Sequence, residues 1–119
     1  MGAKPNVSSL TFTQVTKVHR TMRGIYAENG VATSLLCNVG KGSKYPNRIE
    51  DDRIEYIVGP TTLSNDVDGL REAMRLGTPV RVFTRRAKNA WQDLGGFVVE
   101  GLSDLADGGW RAFSLRRQA

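Results

Sequence analysis

The run most clearly spaced for a helix in this chain lies between two runs spaced for strands. Val67, Leu70, Ala73, Met74 and Leu76 recur on one helical face, with Asn65 or Asp66 as the expected N-cap and Gly77 as the stop. Before it, Ile54, Tyr56 and Val58 alternate with Arg53, Glu55 and Ile57 over Arg53–Val58. After it comes Thr78–Thr84, whose proline sits near the start, where a strand tolerates one. Further strand patterns cover Val31–Val39, Gly95–Leu102 and Trp110–Leu115, with turns at Glu28-Asn29-Gly30 and Asp107-Gly108-Gly109. A second helix is expected from about Thr13, using Val15, Val18, Met22 and Ile25, with Thr13 as a cap and Gly24 as its end. That order predicts an α+β fold: a curved, mostly antiparallel sheet or small barrel with two main helices. With 119 residues and no internal repeat or linker, residues 1–119 read as one domain, its first eight loosely held.

Composition narrows the function. The apolar and charged fractions, 39% and 24%, are those of a folded globule, and the net charge of +5 favours a polyanionic partner. Nucleic acid comes first and an anionic membrane surface second. Cys37 is the only cysteine, so the chain can form neither an internal disulfide nor a cysteine-rich zinc site, and its apolar setting predicts a buried, inert thiol. With no apolar run of membrane-spanning length and no signal-peptide core, a soluble cytoplasmic protein is expected.

Catalytic machinery is not legible. His19 is the only histidine, and Glu50, Asp51, Asp52 and Glu55 lack the carboxylate-then-lysine order of common metal-dependent nucleases, so they read as a solvated turn. There is no G-x-S-x-G elbow, and Gly40–Lys44 resembles a phosphate loop without the helix that should follow. No catalytic residue, metal ligand or cofactor is therefore expected. Two loops instead combine cations, an aromatic ring and an amide. Lys41, Lys44 and Arg48 surround Tyr45 and Asn47; Arg85, Arg86, Lys88 and Asn89 precede Trp91. The cations suit phosphates, while the rings and amides suit a base. The two loops are expected to face each other across one site.

Five segments in order then resemble a known family: Tyr45-Pro46-Asn47-Arg48, Ile54–Gly59, Asn65–Leu70, Gly77–Phe83 and Trp91–Gly95. They are similar to the SRA-like (YDG, PUA-related) DNA-reading domain of McrA-type HNH endonucleases from bacterial modification-dependent restriction systems. The likeness covers roughly residues 40–102, and no HNH nuclease motif accompanies it. It implies a non-catalytic reader of modified cytosine, foremost 5-methylcytosine, in double-stranded DNA, acting alone or with a separately encoded nuclease. Base flipping is one implied mode; apolar contact with the methyl group in the major groove is another. The implied base-recognition residues are Tyr45, Asn47, Tyr56 and Trp91, with Asp66 or Asp68 accepting from the cytosine amino group. The implied DNA contacts are Lys41, Lys44, Arg48, Arg85, Arg86, Lys88 and Asn89. A PUA-like RNA-binding module is the alternative, and a small enzyme or protein-interaction module a third. On the leading reading, Lys44→Ala or Arg48→Ala weakens binding to all DNA alike, whereas Tyr45→Ala or Trp91→Ala erodes the preference for methylated sites in gel-shift titrations.

Overall fold

The alternating runs pair into one seven-stranded sheet. The computed structural model describes residues 9–39, 46–87, 89–105 and 108–118, with only the backbone of residues 86 and 87. In chain order these carry α1 (Phe12–Val15), β1 (Ile25–Glu28), β2 (Val31–Leu36), β3 (Arg48–Glu50), β4 (Arg53–Val58), α2 (Ser64–Leu76), β5 (Pro79–Ala87), β6 (Ala90–Asp104) and β7 (Arg111–Arg117). The strand order is β1-β2-β5-β6-β7-β4-β3. All neighbours are antiparallel except β2 and β5, which are parallel and connected through β3, β4 and α2. The predicted α+β class with a curved, mostly antiparallel sheet is the fold observed, and the sheet does not close into a barrel.

Local chemistry explains most of these elements. The β1–β2 hairpin turns at Asn29 (φ 53°) and Gly30 (φ 81°), the left-handed pair that a tight hairpin requires. The long strand β6 is bent by register shifts opposite Val82/Phe83 and at Val99/Gly101, with Gly95 at φ 89° at the first. In α2 the expected stop holds: Gly77 is left-handed at φ 69°, and the Thr78 N–H reaches the Ala73 carbonyl. The expected start does not. Leu63 occupies the N-cap position and makes no side-chain bond, so neither Asn65 nor Asp66 caps the helix.

The helix expected from Thr13 shrinks to the four residues of α1, capped by Thr11 with Gln14 completing a capping box. Beyond Val15 the chain makes isolated turns as far as His19, whose N–H reaches the Val15 carbonyl at 2.8 Å, and then bends. The Thr16 hydroxyl donates back to the Thr13 carbonyl, and the Thr21 hydroxyl accepts the Arg23 N–H, a local bond that competes with a helix. Val18 and Met22 are consequently exposed, Met22 at 79%, and Ile25 passes into β1. At the other end of the chain, β5 and β6 extend through the stretch read as a basic loop, and Arg116 and Arg117 belong to β7 rather than to a tail.

Alternation divides the buried residues between the two faces of the sheet. On one face, Val67, Leu70 and Ala73 of α2 pack with Ile54, Tyr56, Val58, Val80, Val82, Phe97, Val99, Phe113 and Leu115. On the other, α1 covers a smaller cluster of Val15, Phe83 and Trp91, flanked by Leu10, Phe12 and Leu36. Close approach of α2 to the β1–β2 hairpin depends on Gly69, where an added Cβ would stand 3.1 Å from the Ala27 Cβ and 3.3 Å from the Ala32 nitrogen. Replacing this glycine by alanine gains about 1 kcal/mol of helix propensity, which the crowding largely cancels. Gly69→Val keeps the crowding and adds branches, so we expect a loss of about 1–3 kcal/mol in denaturant unfolding.

Candidate functional site

Where the curved sheet stays open, the start of β1 and the end of β4 flank a recess of about 260 Å³. Arg23, Gly24 and Ile25 form one side; Tyr56, Ile57 and Val58 form the other; Thr61, Thr62, Leu63 and Asp66 lie at the entry to α2. The bend at 59–62 is held by the Gly59 N–H donating to the Thr62 hydroxyl at 3.1 Å and the Thr62 N–H returning to the Gly59 carbonyl at 3.1 Å. Gly24 has a steric role: the Tyr56 hydroxyl lies 2.6 Å from the point where a Cβ would be. Any other residue there would displace the ring.

Asp66 is buried at 5% exposure in the first turn of α2, where the helix dipole favours negative charge. Its oxygens accept from the Arg23 Nε at 2.9 Å and from an Arg23 terminal nitrogen at 3.3 Å. These two bonds join the loop before β1 to the start of α2 across the recess. Hydrogen bonding to the carboxylate raises the Arg23 pKa, and Coulombic attraction adds to it. The Arg23 side chain is itself half exposed at the mouth.

The expected site residues separate into groups. Tyr56 and Asp66 meet at the recess. Asn47 lies beside it but works as a clamp, its Oδ1 accepting the Ile57 N–H at 2.7 Å and its Nδ2 donating to the Asn38 carbonyl at 3.0 Å. Asp68 is exposed on α2 and does not line the recess. Arg48 is exposed on β3 and pairs with Glu50 at 3.1 Å. Lys41, Lys44, Tyr45 and Lys88, and the side chain of Arg86, lie outside the described residues.

The second expected wall lies on the other face of the sheet from Tyr56, and residues 41–45 of the first lie outside the described residues. Arg85 and Trp91 are register partners on β5 and β6, on the face covered by α1, whereas Tyr56 belongs to the α2-side core. Trp91 is 3% exposed; the Phe12 ring lies 5.4 Å away on a tilt, and the Arg85 guanidinium sits 5.4 Å over the indole. Asn89 adopts φ 55° in the β5–β6 turn, and its Oδ1 accepts the Phe12 N–H at 3.2 Å. Both residues thus secure the N-terminal segment. Arg23 and Gly24 are among the lining residues missed in the sequence, where helical spacing ran through Arg23 and made Gly24 a helix stop. The nearby Thr21 was the available sign that a helix would not continue.

Elsewhere the charges are organised as pairs. Arg81 and Asp93 are bonded at 2.9 Å, which lowers the Asp93 pKa; Glu100 accepts from Arg116 at 2.5 Å and Arg53 at 3.4 Å, and its pKa is also lowered, chiefly by Arg116. Cys37 is fully buried, and desolvation pushes its thiol up to about 12, as fits an inert thiol. Among the described residues no group of three or more metal-ligating side chains comes together, and no helix is long and apolar enough to cross a membrane.

No protein-family model and no curated protein matches the sequence. Solved structures do match in fold. The SUVH5 SRA domain in complex with hemimethylated CG DNA superposes with a TM-score of 0.77 at 20% identity, over 99% of this chain and 93% of that one. The same domain bound to fully hydroxymethylated CG DNA gives 0.72 at 20% identity, with the same coverage. The modification-dependent TagI restriction endonuclease gives 0.73 at 19% identity over 98% of this chain, which spans 50% of TagI. The chain therefore has the SRA fold. Because Trp91 is enclosed in the smaller core, Trp91→Ala should lower stability by about 3–5 kcal/mol. Thermal unfolding is the direct check, ahead of any loss of specificity.

Proposed function

We propose that this SRA-fold chain is a non-catalytic reader of modified cytosine, foremost 5-methylcytosine, in double-stranded DNA. The observation that carries this reading is the agreement in fold over nearly the whole chain with SRA domains solved on methylated and hydroxymethylated DNA. The recess between β1 and β4 is our candidate for the base site. Tyr56 offers a ring at its wall, and Asp66 retains acceptor capacity after receiving Arg23, because a carboxylate has about four lone-pair sites. Asp66 can then receive a cytosine amino group. Arg48, Arg85 and the lysines of the 41–44 stretch are proposed phosphate contacts, with Arg86 and Lys88 beside them. Tyr45 completes the base-recognition set.

Energetics limits the discrimination expected. Extruding a base costs a few kcal/mol of stacking and pairing, which ring contact and bonds to the base edge must offset. Burial of one methyl group contributes about 0.8 kcal/mol, or roughly fourfold in affinity. The proposed biological setting is a bacterial cytoplasm, with the chain delivering a separately encoded nuclease to modified sites; the likeness to TagI supports that setting.

Gel-shift titrations with methylated, hydroxymethylated and unmodified duplexes test the reading. We expect the methylated duplex to bind about fourfold or more tighter than the unmodified one. Equal affinity for all three, or an RNA hairpin that competes better than methylated duplex, would overturn it. Arg48→Ala should weaken all three duplexes alike and reduce the slope of log affinity against log salt by about 1.

A further inference from the structure

His19 lies fully buried next to the recess without lining it. Its Nε2 is 2.6 Å from the Arg23 carbonyl, and its Nδ1 is 2.8 Å from the Ser34 hydroxyl of β2. A carbonyl can only accept, so Nε2 carries the proton of the neutral ring, and Nδ1 accepts from Ser34. The imidazole therefore links β2 to the backbone of the residue whose side chain holds Asp66. The Tyr26 ring of β1 meets it edge-on at 6.2 Å.

We infer that His19 is a positioning residue for the recess, holding the Arg23–Gly24 wall in place through the Arg23 carbonyl. The chain of contacts is short. With that carbonyl fixed, Arg23 reaches Asp66 from one direction, and Gly24 stays against the Tyr56 hydroxyl. The Leu36 N–H also holds the Gly24 carbonyl at 2.7 Å, so releasing the Arg23 carbonyl loosens the Arg23 side of the wall first.

Protonation keeps the Nε2–H donor to the carbonyl and removes the Nδ1 acceptor for Ser34, so the wall is linked to pH through the Ser34 bond and the burial of the ring. Burial opposes the imidazolium and lowers the His19 pKa from 6.5; the carbonyl bond and Asp66 act to raise it, and the Arg23 cation to lower it. Tyr26 faces the ring from β1, with its hydroxyl donating to Glu28 at 2.8 Å; Arg20 pairs with that Glu28 at 3.8 Å. Because the folded value lies below the unfolded one, the unfolded or detached ring takes up the proton first. The contribution of His19 is complete above about pH 6.5 and is lost as the pH falls from there through the folded value. On protonation the Ser34 hydroxyl must also turn from donor to acceptor.

The role in DNA binding rests on the reader function proposed above, whereas the coupling within the protein does not, and the two can be tested separately. His19 is the only histidine, so its ring nitrogens are assigned without ambiguity in 15N-labelled protein. A pH titration by NMR should show the Nε2–H tautomer at pH 8, a midpoint below 6.5, and Arg23 and Gly24 amide signals moving with the same midpoint. An Nδ1–H tautomer, a midpoint at or above 6.5, or amides that ignore the titration would overturn the inference. For binding, His19→Leu should lose about tenfold in affinity for methylated duplex, the scale of one buried hydrogen bond. His19→Gln can donate to Arg23 and accept from Ser34, so it should retain binding and bind equally at pH 5.5 and 7.5. A folded His19→Leu that binds as the unaltered protein does also sinks the inference. If His19→Leu fails to fold, the titration of the unaltered protein decides. Equal binding of methylated and unmodified DNA by the unaltered protein removes the reader function alone.

Discussion

The side-chain amide of Asn47 holds together two parts of the sheet that no strand ladder joins. The β3–β4 ladder has its last register pair at Arg48 and Glu55, and Asn47 then continues it by accepting the Ile57 N–H through its side chain. The same amide donates to the Asn38 carbonyl just beyond β2. The segment after β2 is thereby tied to β4 through one side chain, and Ile57, whose N–H that side chain holds, lines the recess.

The surroundings of the recess show the same economy of contact. Arg23 and Asp66 bridge it by a bidentate ion pair, Gly24 yields space to the Tyr56 hydroxyl, and the 59–62 bend is held through Thr62. These are directional polar bonds on the margin of an otherwise apolar core. Hydrophobic contact would position such a wall less narrowly, because it does not depend on angle. A fixed margin suits recognition of a planar base, where a small displacement of a donor or acceptor costs a hydrogen bond.

The sequence exposed the framework more readily than the site. Strict alternation is enough to put Ile54, Tyr56 and Val58 on one face, and Asn29-Gly30 marks its hairpin without help from distant residues. Spacing failed for residues 13–25, where apolar residues matched a helix but the Thr21 hydroxyl captures the Arg23 N–H and His19 is buried against β2. It failed again at Trp91. A tryptophan among arginines reads as a binding face, and only the distant Phe12 and Val15 explain why it is enclosed. The short β3 was hidden because a single inward residue, Ile49, between exposed Arg48 and Glu50 sets no alternation. The recess depends on contacts between residues 23 and 66, and 24 and 56, separations that local patterning does not encode.

The brevity of β3 has its own consequence. An open sheet ends in unpaired backbone groups, which can template the addition of another chain. Here one margin is a strand of three residues bearing exposed Arg48 and Glu50, and the other is a strand of four with a register irregularity at Tyr26/Ala27. Neither offers a long, flat, apolar row. The sheet can therefore remain open at its margins while resisting the edge-to-edge aggregation to which open sheets are prone.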